Sequence, residues 1–555
     1  MGRKSIDKKE PSLYSEELMQ ADLVRLKQVY QREGFLFAGV SLEPLIIDNE
    51  KKTVKLKVNI NEGEPVLTDS VIITAGSPGQ ISDTFQTEEE IRRKLTLVNG
   101  VRFRDDAIKD DIRIIEEAFN NMGFAYARVS YELKLDPERY KTDIYYSVYT
   151  GNKSQIGKTT ISGNENVSEK LIRKQIKYDE GMLHNKSDLN KTRQNLYDLQ
   201  LFRIVSVSPG KDYKTERDQI PVSIYVEEAP RLTARTGAGY GTEDKFRAFS
   251  DINLRGFPGE SQRLNLRIKH SRLEPYSIHL QWIQPHFPGM KSSIALNPFL
   301  ESKSEPGYKL RTYGINIPFT YKFNKWFNSK LTYYFEDVNQ AVEAGDKELP
   351  GLDDDNFLYY KSGILLSAVF DNSNPEFSPV KGINLSFGLK VNRYVFSSDF
   401  SYTRLWGDFR TYRKISDLVL AYRIMAGGTV SSDKNEFIQV DDRFYSGGSN
   451  SIRGWNRAGL GPRRETGSPL GGKSIFESNF EVHYNLFWRL NLVAFIEAGN
   501  VRITSFPYNL NDLGYVPGTG IRIDTPVGPV RFDAGFPVWN AKRSPQFFIS
   551  VGQAF

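Results

Sequence analysis

Cysteine is absent from all 555 residues. That excludes disulfides, structural thiolate zinc sites and cysteine nucleophiles, and it fits the periplasm, where unpaired thiols are a liability. Also missing is any run close to the roughly 20 apolar residues that a membrane-spanning helix needs, so a helical membrane protein is excluded. A transmembrane barrel is not, because its strands alternate apolar with polar residues and dilute the signal. No P-loop occurs, and the five histidines, His184, His270, His279, His286 and His483, form no H-E-x-x-H or other metal-ligand spacing. They read as surface or barrel-wall residues. The nearest string to a G-x-S-x-G nucleophile elbow, Gly447-Gly448-Ser449-Asn450-Ser451, lacks the final glycine. No catalytic residue, metal ligand or cofactor is therefore expected, and an enzyme is set aside. The net charge of +6 is the small difference of 74 basic and 68 acidic residues, which gives no pointer to nucleic acid.

What the chain does have is aromatic residues and glycine: 29 Tyr, 35 Phe and 44 Gly. Girdles at a membrane interface and tight turns use such residues. Composition alone still favours a soluble β-sandwich, so the patterning has to decide.

Up to about residue 230 the chain alternates helical and strand periods. Leu23, Leu26, Val29 and Tyr30 recur at helical spacing, as do Ile108, Ile112, Ile115 and Phe119. A strand pattern follows each helix, and these strands align: GFLFAGVSLE from Gly34 with GFAYARVSYE from Gly123, and more weakly with LFRIVSVSPG from Leu201. The offsets of 89 and 78 residues are those of a repeat of domain size. Each full unit reads strand, helix, helix, strand, strand. The boundaries fall at 1–65 (a partial unit with only its long helix and last two strands), 66–154 and 155–230, leaving 231–555 as a second half. The partial first unit, and an opening MGRKSIDKKEPSLYSEE without the apolar core of a signal peptide, lead us to expect a shortened or processed N-terminus.

After Pro230 no amphipathic helix is evident. Alternating segments such as RLNLRIKH, SIHLQWIQP and GINLSFGLKV are separated by turn-rich stretches such as HFPGMKS and DTPVGP. A strand with its turn takes roughly 20 residues, so about sixteen strands fit in this half. Closing them into a barrel removes the open edges that a sheet of that size would have to cover. The expected fold class is thus α+β repeats followed by a transmembrane antiparallel β-barrel of about sixteen strands.

The repeats resemble polypeptide-transport-associated (POTRA) domains, and the second half resembles the barrel of the outer-membrane assembly superfamily that includes BamA, TamA and two-partner secretion translocators. GGSNSIRGW, Gly447 to Trp455, carries the likeness, with the (V/I)RG(F/Y/W) signature at Ile452, Arg453, Gly454 and Trp455. So do GTGIRIDTPVGPVRFDAGFPV, Gly518 to Val538, and a D-x-x-x-P…P-x-x-G segment at Asp371, Pro375, Pro379 and Gly382. The ending FFISVGQAF, with Phe547, Gly552 and a terminal Phe555, is similar to the targeting signal of outer-membrane proteins.

The resemblance implies a bacterial outer-membrane barrel with its repeats in the periplasm. It implies that the IRGW tip belongs to the sixth extracellular loop, folded into the lumen, where Arg453 needs an acidic partner. The family's F-x-D-x-G strand matches Phe495-Ile496-Glu497-Ala498-Gly499, with Glu for Asp, so Glu497 is the first choice and Asp533 the second. It further implies a protein assembly or translocation factor that handles unfolded clients in contact with outer-membrane lipid. Three repeats and the wording around IRGW look TamA-like, with a TamB-like periplasmic partner. A BamA-type core insertase, a passive porin and a dedicated secretion pore remain alternatives. The lateral seam would join a first strand near Leu232–Tyr240, including Gly239, to a last strand from Phe547, and cysteines near Gly239 and Ser550 would lock it.

Overall fold

The structure is a computed structural model that describes residues 14–48, 50–51, 53–75, 89–212, 215–342, 356–375, 378–393, 397–431, 438–487, 489–505, 512–525, 529–538 and 544–551. The chain divides into two compact units close to Glu228.

In the first unit, α1 (Glu16–Arg32) is capped by Ser15 and followed by two antiparallel pairs. These are β1 (Gly39–Leu42) with β4 (Val58–Asn61), and β2 (Ile46–Asp48) with β3 (Thr53–Lys55). The second module has β5 (Leu67–Ala75), α2 (Asp105–Asn121), β6 (Arg128–Asp136) and β7 (Lys141–Tyr149), with sheet order β5-β7-β6. β7 runs parallel to β5 and antiparallel to β6. The helix forms because Ile108, Ile115 and Phe119 fall on one stripe and Asp105 and Asp106 favour its N-terminal dipole. That stripe packs on Ile73, Ile144, Tyr146 and Val148 of the sheet. Each such buried side chain stabilises by roughly 1.5–3 kcal/mol. Asp111 is buried under the module and accepts the Thr96 and Leu97 amides (2.6 and 3.1 Å) and the Tyr146 hydroxyl (3.2 Å). Burial pushes its carboxyl up and the Tyr146 phenol up as well.

The third module repeats the plan with β8 (Gln155–Ser162), α3 (Glu169–Arg173), α4 (Lys186–Asp198), β9 (Phe202–Pro209) and β10 (Gln219–Glu228), in order β8-β10-β9. The repeat is visible in the backbone: Gly34 and Gly123, each just past its helix, have φ of +95° and +98°. After α4 the left-handed residue is Gln200, with φ +57°. The turn from Gln200 into β9 is shorter than the turn from Gly123 into β6.

The second and third modules are joined at the C-terminal end of α2. Ser154 N–H donates to the Gly123 carbonyl (2.9 Å), and His184 Nδ1 lies 3.2 Å from the Asn120 carbonyl. His184 is 1% exposed, so it is neither a surface nor a barrel-wall residue as its sequence suggested. Burial drives its imidazole down to about 4.

The second unit is one sheet of sixteen strands, β11 to β26 in chain order, every neighbouring pair antiparallel. The period of two sorts its residues. On β22 (Ser474–Phe487), Glu477, Asn479 and Glu481 are buried inward while Phe480 and Tyr484 are exposed outward. On β23 (Leu490–Arg502), Val493, Phe495 and Glu497 point in while Leu492 and Ile496 point out. A polar interior and an apolar exterior are what a barrel in lipid requires. Strand length is uneven: β17 (Phe327–Val342) has 16 residues, whereas β25 (Val530–Gly535) and β26 (Gln546–Val551) have 6 each.

The buried neutral His184 makes a prediction. Its folded pKa lies below the unfolded value of about 6.5, so its contribution is present above that value and is lost as pH falls from there toward 4. A soluble fragment of residues 1–230 with mixed α/β circular dichroism should lose thermal stability across that window. His184→Gln should flatten the loss, and an equally steep pH profile in that variant would assign it to other groups.

Candidate functional site

Counted from the hairpin after β11 (Leu232–Gly241), the connection between β21 (Leu418–Ser431) and β22 is the sixth at that end of the sheet. It runs from residue 432 to 473, far longer than a hairpin needs, and its described part is held by the barrel wall. Ile452, Arg453 and Trp455 are all buried, Arg453 at 0% exposure. Ile452 and Trp455 pack with Val493 and Phe495 of β23 and Val516 of β24 (Gly514–Ile523).

Arg453 meets three carboxylates. Its Nε and backbone N–H donate to Glu497 (2.8 and 2.6 Å), and its Nη2 lies 2.7 Å from the same carboxylate. Nη2 also donates to Glu481, and Nη1 is 3.3 Å from Asp533. Its guanidinium carbon lies 3.5 Å from the centre of the Phe495 ring. The structure thus brings both sequence-chosen acids, Glu497 and Asp533, to Arg453. It adds Glu481, which the sequence reading missed, although its place on the inward face with Glu477 and Asn479 was readable from the alternation of SIFESNFEVHY. Arg522 is 2.5 Å from Asp533, Arg531 is 3.7 Å from it, and His483 Nε2 is 2.7 Å from Glu481. Three arginines thus face three carboxylates inside the wall, so the cluster carries no large net charge where water is scarce.

Glycine makes room for this tip. A β-carbon on Gly454 would press into Val516, and one on Gly535 would collide with the Arg453 carbonyl. The close approach of two backbones, rather than a left-handed turn, is what these two positions need.

A second anchor sits lower in the same loop. A short 3₁₀ turn, Val440–Asp442, carries two adjacent acids. Asp442 accepts from Lys390 (2.8 Å), Lys361 (3.1 Å) and the Tyr402 hydroxyl, and Asp441 accepts from Lys361. Nothing in the string QVDDRF distinguished these acids from surface charges. A third anchor is the pair of parallel bonds from Arg457 to Glu305 (2.7 and 2.8 Å).

The tip also spans the seam. Ser449 donates from its N–H and hydroxyl to Glu243 (3.2 and 2.8 Å), in the turn after β11. The neighbouring Asn450 accepts from Arg531 of β25, which in turn donates to Ser550 of β26. Between the two terminal strands themselves, no ladder joins the described residues. β26 pairs with β25 alone. Thr242 supplies the contact, its N–H 3.3 Å and its hydroxyl 3.5 Å from the Ile549 carbonyl. Gly239 lies within β11 against Arg247 of its other neighbour, and Phe547 of β26 is 71% exposed. Gly552 and Phe555 lie outside the described residues.

These features define a class: an outer-membrane β-barrel preceded by periplasmic POTRA modules. The Omp85 superfamily domain matches residues 257–555, and the POTRA surface-antigen repeat matches 3–63, 81–151 and 154–229. The chain belongs to the Omp85 superfamily. It is 21% identical over 97% of its length to the outer membrane protein assembly factor BamA of Nitratidesulfovibrio vulgaris, covering 68% of that protein. It is 24% identical over 94% of its length to BamA of Neorickettsia risticii, covering 70% of it. The fold is similar to the crystal structure of BamA from Haemophilus ducreyi lacking POTRA domains 1–3, with a TM-score of 0.64 and 17% identity over 88% of this chain and 99% of that one.

Removing one partner of a buried ion pair costs about 3–5 kcal/mol, because the charges left behind stay buried. Arg453→Ala should therefore release the loop tip while the barrel still inserts. Arg453→Lys should fail to restore docking, since an ammonium cannot reproduce the planar fork. Protease accessibility of residues 445–460 in membranes measures this. A tip as protected in Arg453→Ala as in the unaltered protein would contradict it.

Proposed function

We propose that this chain is an outer-membrane protein assembly factor. Its POTRA modules receive extended client polypeptides, and the barrel inserts client strands by parting between β11 and β26. The observation that carries this reading is the seam. In lipid every unpaired backbone group costs several kcal/mol, yet among the described residues one strand junction has little more than the Thr242–Ile549 contact. A client strand offers the missing partners, and the free energy comes from its folding and its burial in lipid. The loop tip, in contact with Glu243 on one side and through Arg531 with Ser550 on the other, would hold the junction until a client arrives.

The named relatives support a BamA-type role over the TamA-type one drawn from three repeats. A passive porin is less favoured, because the sixth loop is pinned in the wall at Asp442, Arg453 and Arg457. A porin would need that space for solute.

The test is a lock across the seam. The Thr242–Ile549 contact moves the better position on β11 from Gly239 to Gly241, which adjoins Thr242 as Ser550 adjoins Ile549. The cysteine-free chain gives no background. With Gly241→Cys and Ser550→Cys oxidised, insertion of an outer-membrane client into proteoliposomes should stop, and reductant should restore it. Insertion at full rate by the oxidised protein would overturn the mechanism.

A further inference from the structure

A groove of about 800 Å³ lies at the junction of the second and third modules. Its charge is one-sided. Arg128 from the start of β6, Lys186 and Arg193 on and beside the exposed face of α4, and Lys211 just past β9 line it, against the single acid Glu116 of α2. Lys211 donates to a neutral group, the Asn120 side-chain oxygen (3.0 Å). Burial and the neighbouring Lys186 push its ammonium down, and Glu116 offsets them only in part.

Two further observations say what belongs there. β6 and β9 are each the outer strand of a three-stranded sheet, and the groove takes in the beginning of one and the end of the other. An extended chain laid along such an edge gains main-chain hydrogen bonds. Apolar contact for it is at hand in Leu189 and Val207. His184, also in the lining, has its Nδ1 taken up by the Asn120 carbonyl, which fixes the proton on that nitrogen. Its Nε2 is then an acceptor, and it has no hydrogen-bond partner. An extended peptide carries a donor suited to it in its backbone N–H groups, beside the edge its main chain would pair with.

We propose that this groove docks an extended, acidic segment of another polypeptide, with carboxylates against Lys186, Arg193 and Lys211 and an amide toward His184. The inference rests on the reading that these modules handle polypeptides, and adds selectivity for acidic sequence at one place. The seam lock does not touch this groove, so either claim can fail while the other stands.

The experiment uses the full chain in detergent or nanodiscs. The probes are a fluorescent peptide alternating Glu with Val and its counterpart with Lys for Glu. The acidic peptide should bind at least tenfold more tightly, and weaken about tenfold between low and 0.3 M salt. Arg193→Glu, exposed and therefore harmless to folding, and Lys211→Gln, which keeps a donor for Asn120, should each weaken it severalfold without changing the circular dichroism. His184→Phe should weaken both peptides alike. Equal affinity for the two peptides, or an acidic peptide indifferent to Arg193→Glu and Lys211→Gln, would overturn the proposal. So would competition by inorganic phosphate or phosphatidylglycerol vesicles with no peptide binding.

Discussion

Hydrocarbon offers no hydrogen bonds, so a chain that crosses it must pair its own backbone groups throughout. That constraint shapes the second unit. Sixteen antiparallel strands satisfy one another in sequence order, and the long ladders are in the middle, where β16 (Tyr308–Lys322) meets β17 from Tyr308 opposite Val342 to Lys322 opposite Asn328. The debt collects at the one place where chain order cannot help, between the first strand and the last. There, among the described residues, β26 is met only by Thr242, in the turn after β11. In the proposed function, a client polypeptide with an unpaired edge would relieve it.

The sixth loop answers the same constraint with charge. An arginine in a dry wall is costly unless it is fully paired, and Arg453 is surrounded by Glu481, Glu497 and Asp533, with Arg522 and Arg531 keeping the balance. Because these carboxylates come from β22, β23 and β25, the arginine ties together three of the last five strands. The same tip reaches Glu243 beyond the seam. Loop docking and the state of the seam are therefore physically connected through residues that touch both.

The fold was legible where the signal is local. The switch near Pro230 from helical to twofold period, the repeated GFLFAGVSLE and GFAYARVSYE, and the room for about sixteen strands were enough for the repeats and the barrel. The IRGW tip and FIEAG strand pointed to Arg453 and Glu497 as a pair. What was not legible depends on partners far apart in the chain. Asp441 and Asp442 look like any surface acids until Lys361 and Lys390 face them. Glu243 is unremarkable in a turn until a loop some two hundred residues later lands on it. His184 is one polar residue before a helix, and only the packing of one module on the next buries it.

Amide hydrogen exchange, resolved by strand in the full chain in lipid nanodiscs, tests the central claim most directly. Exchange reports local opening. The account predicts that amides of β11 and β26 exchange fastest among the barrel strands and those of β16 and β17 slowest, with Arg453→Ala speeding the seam further. Protection at β11 and β26 equal to that of β16 and β17, unaltered by Arg453→Ala, would contradict it.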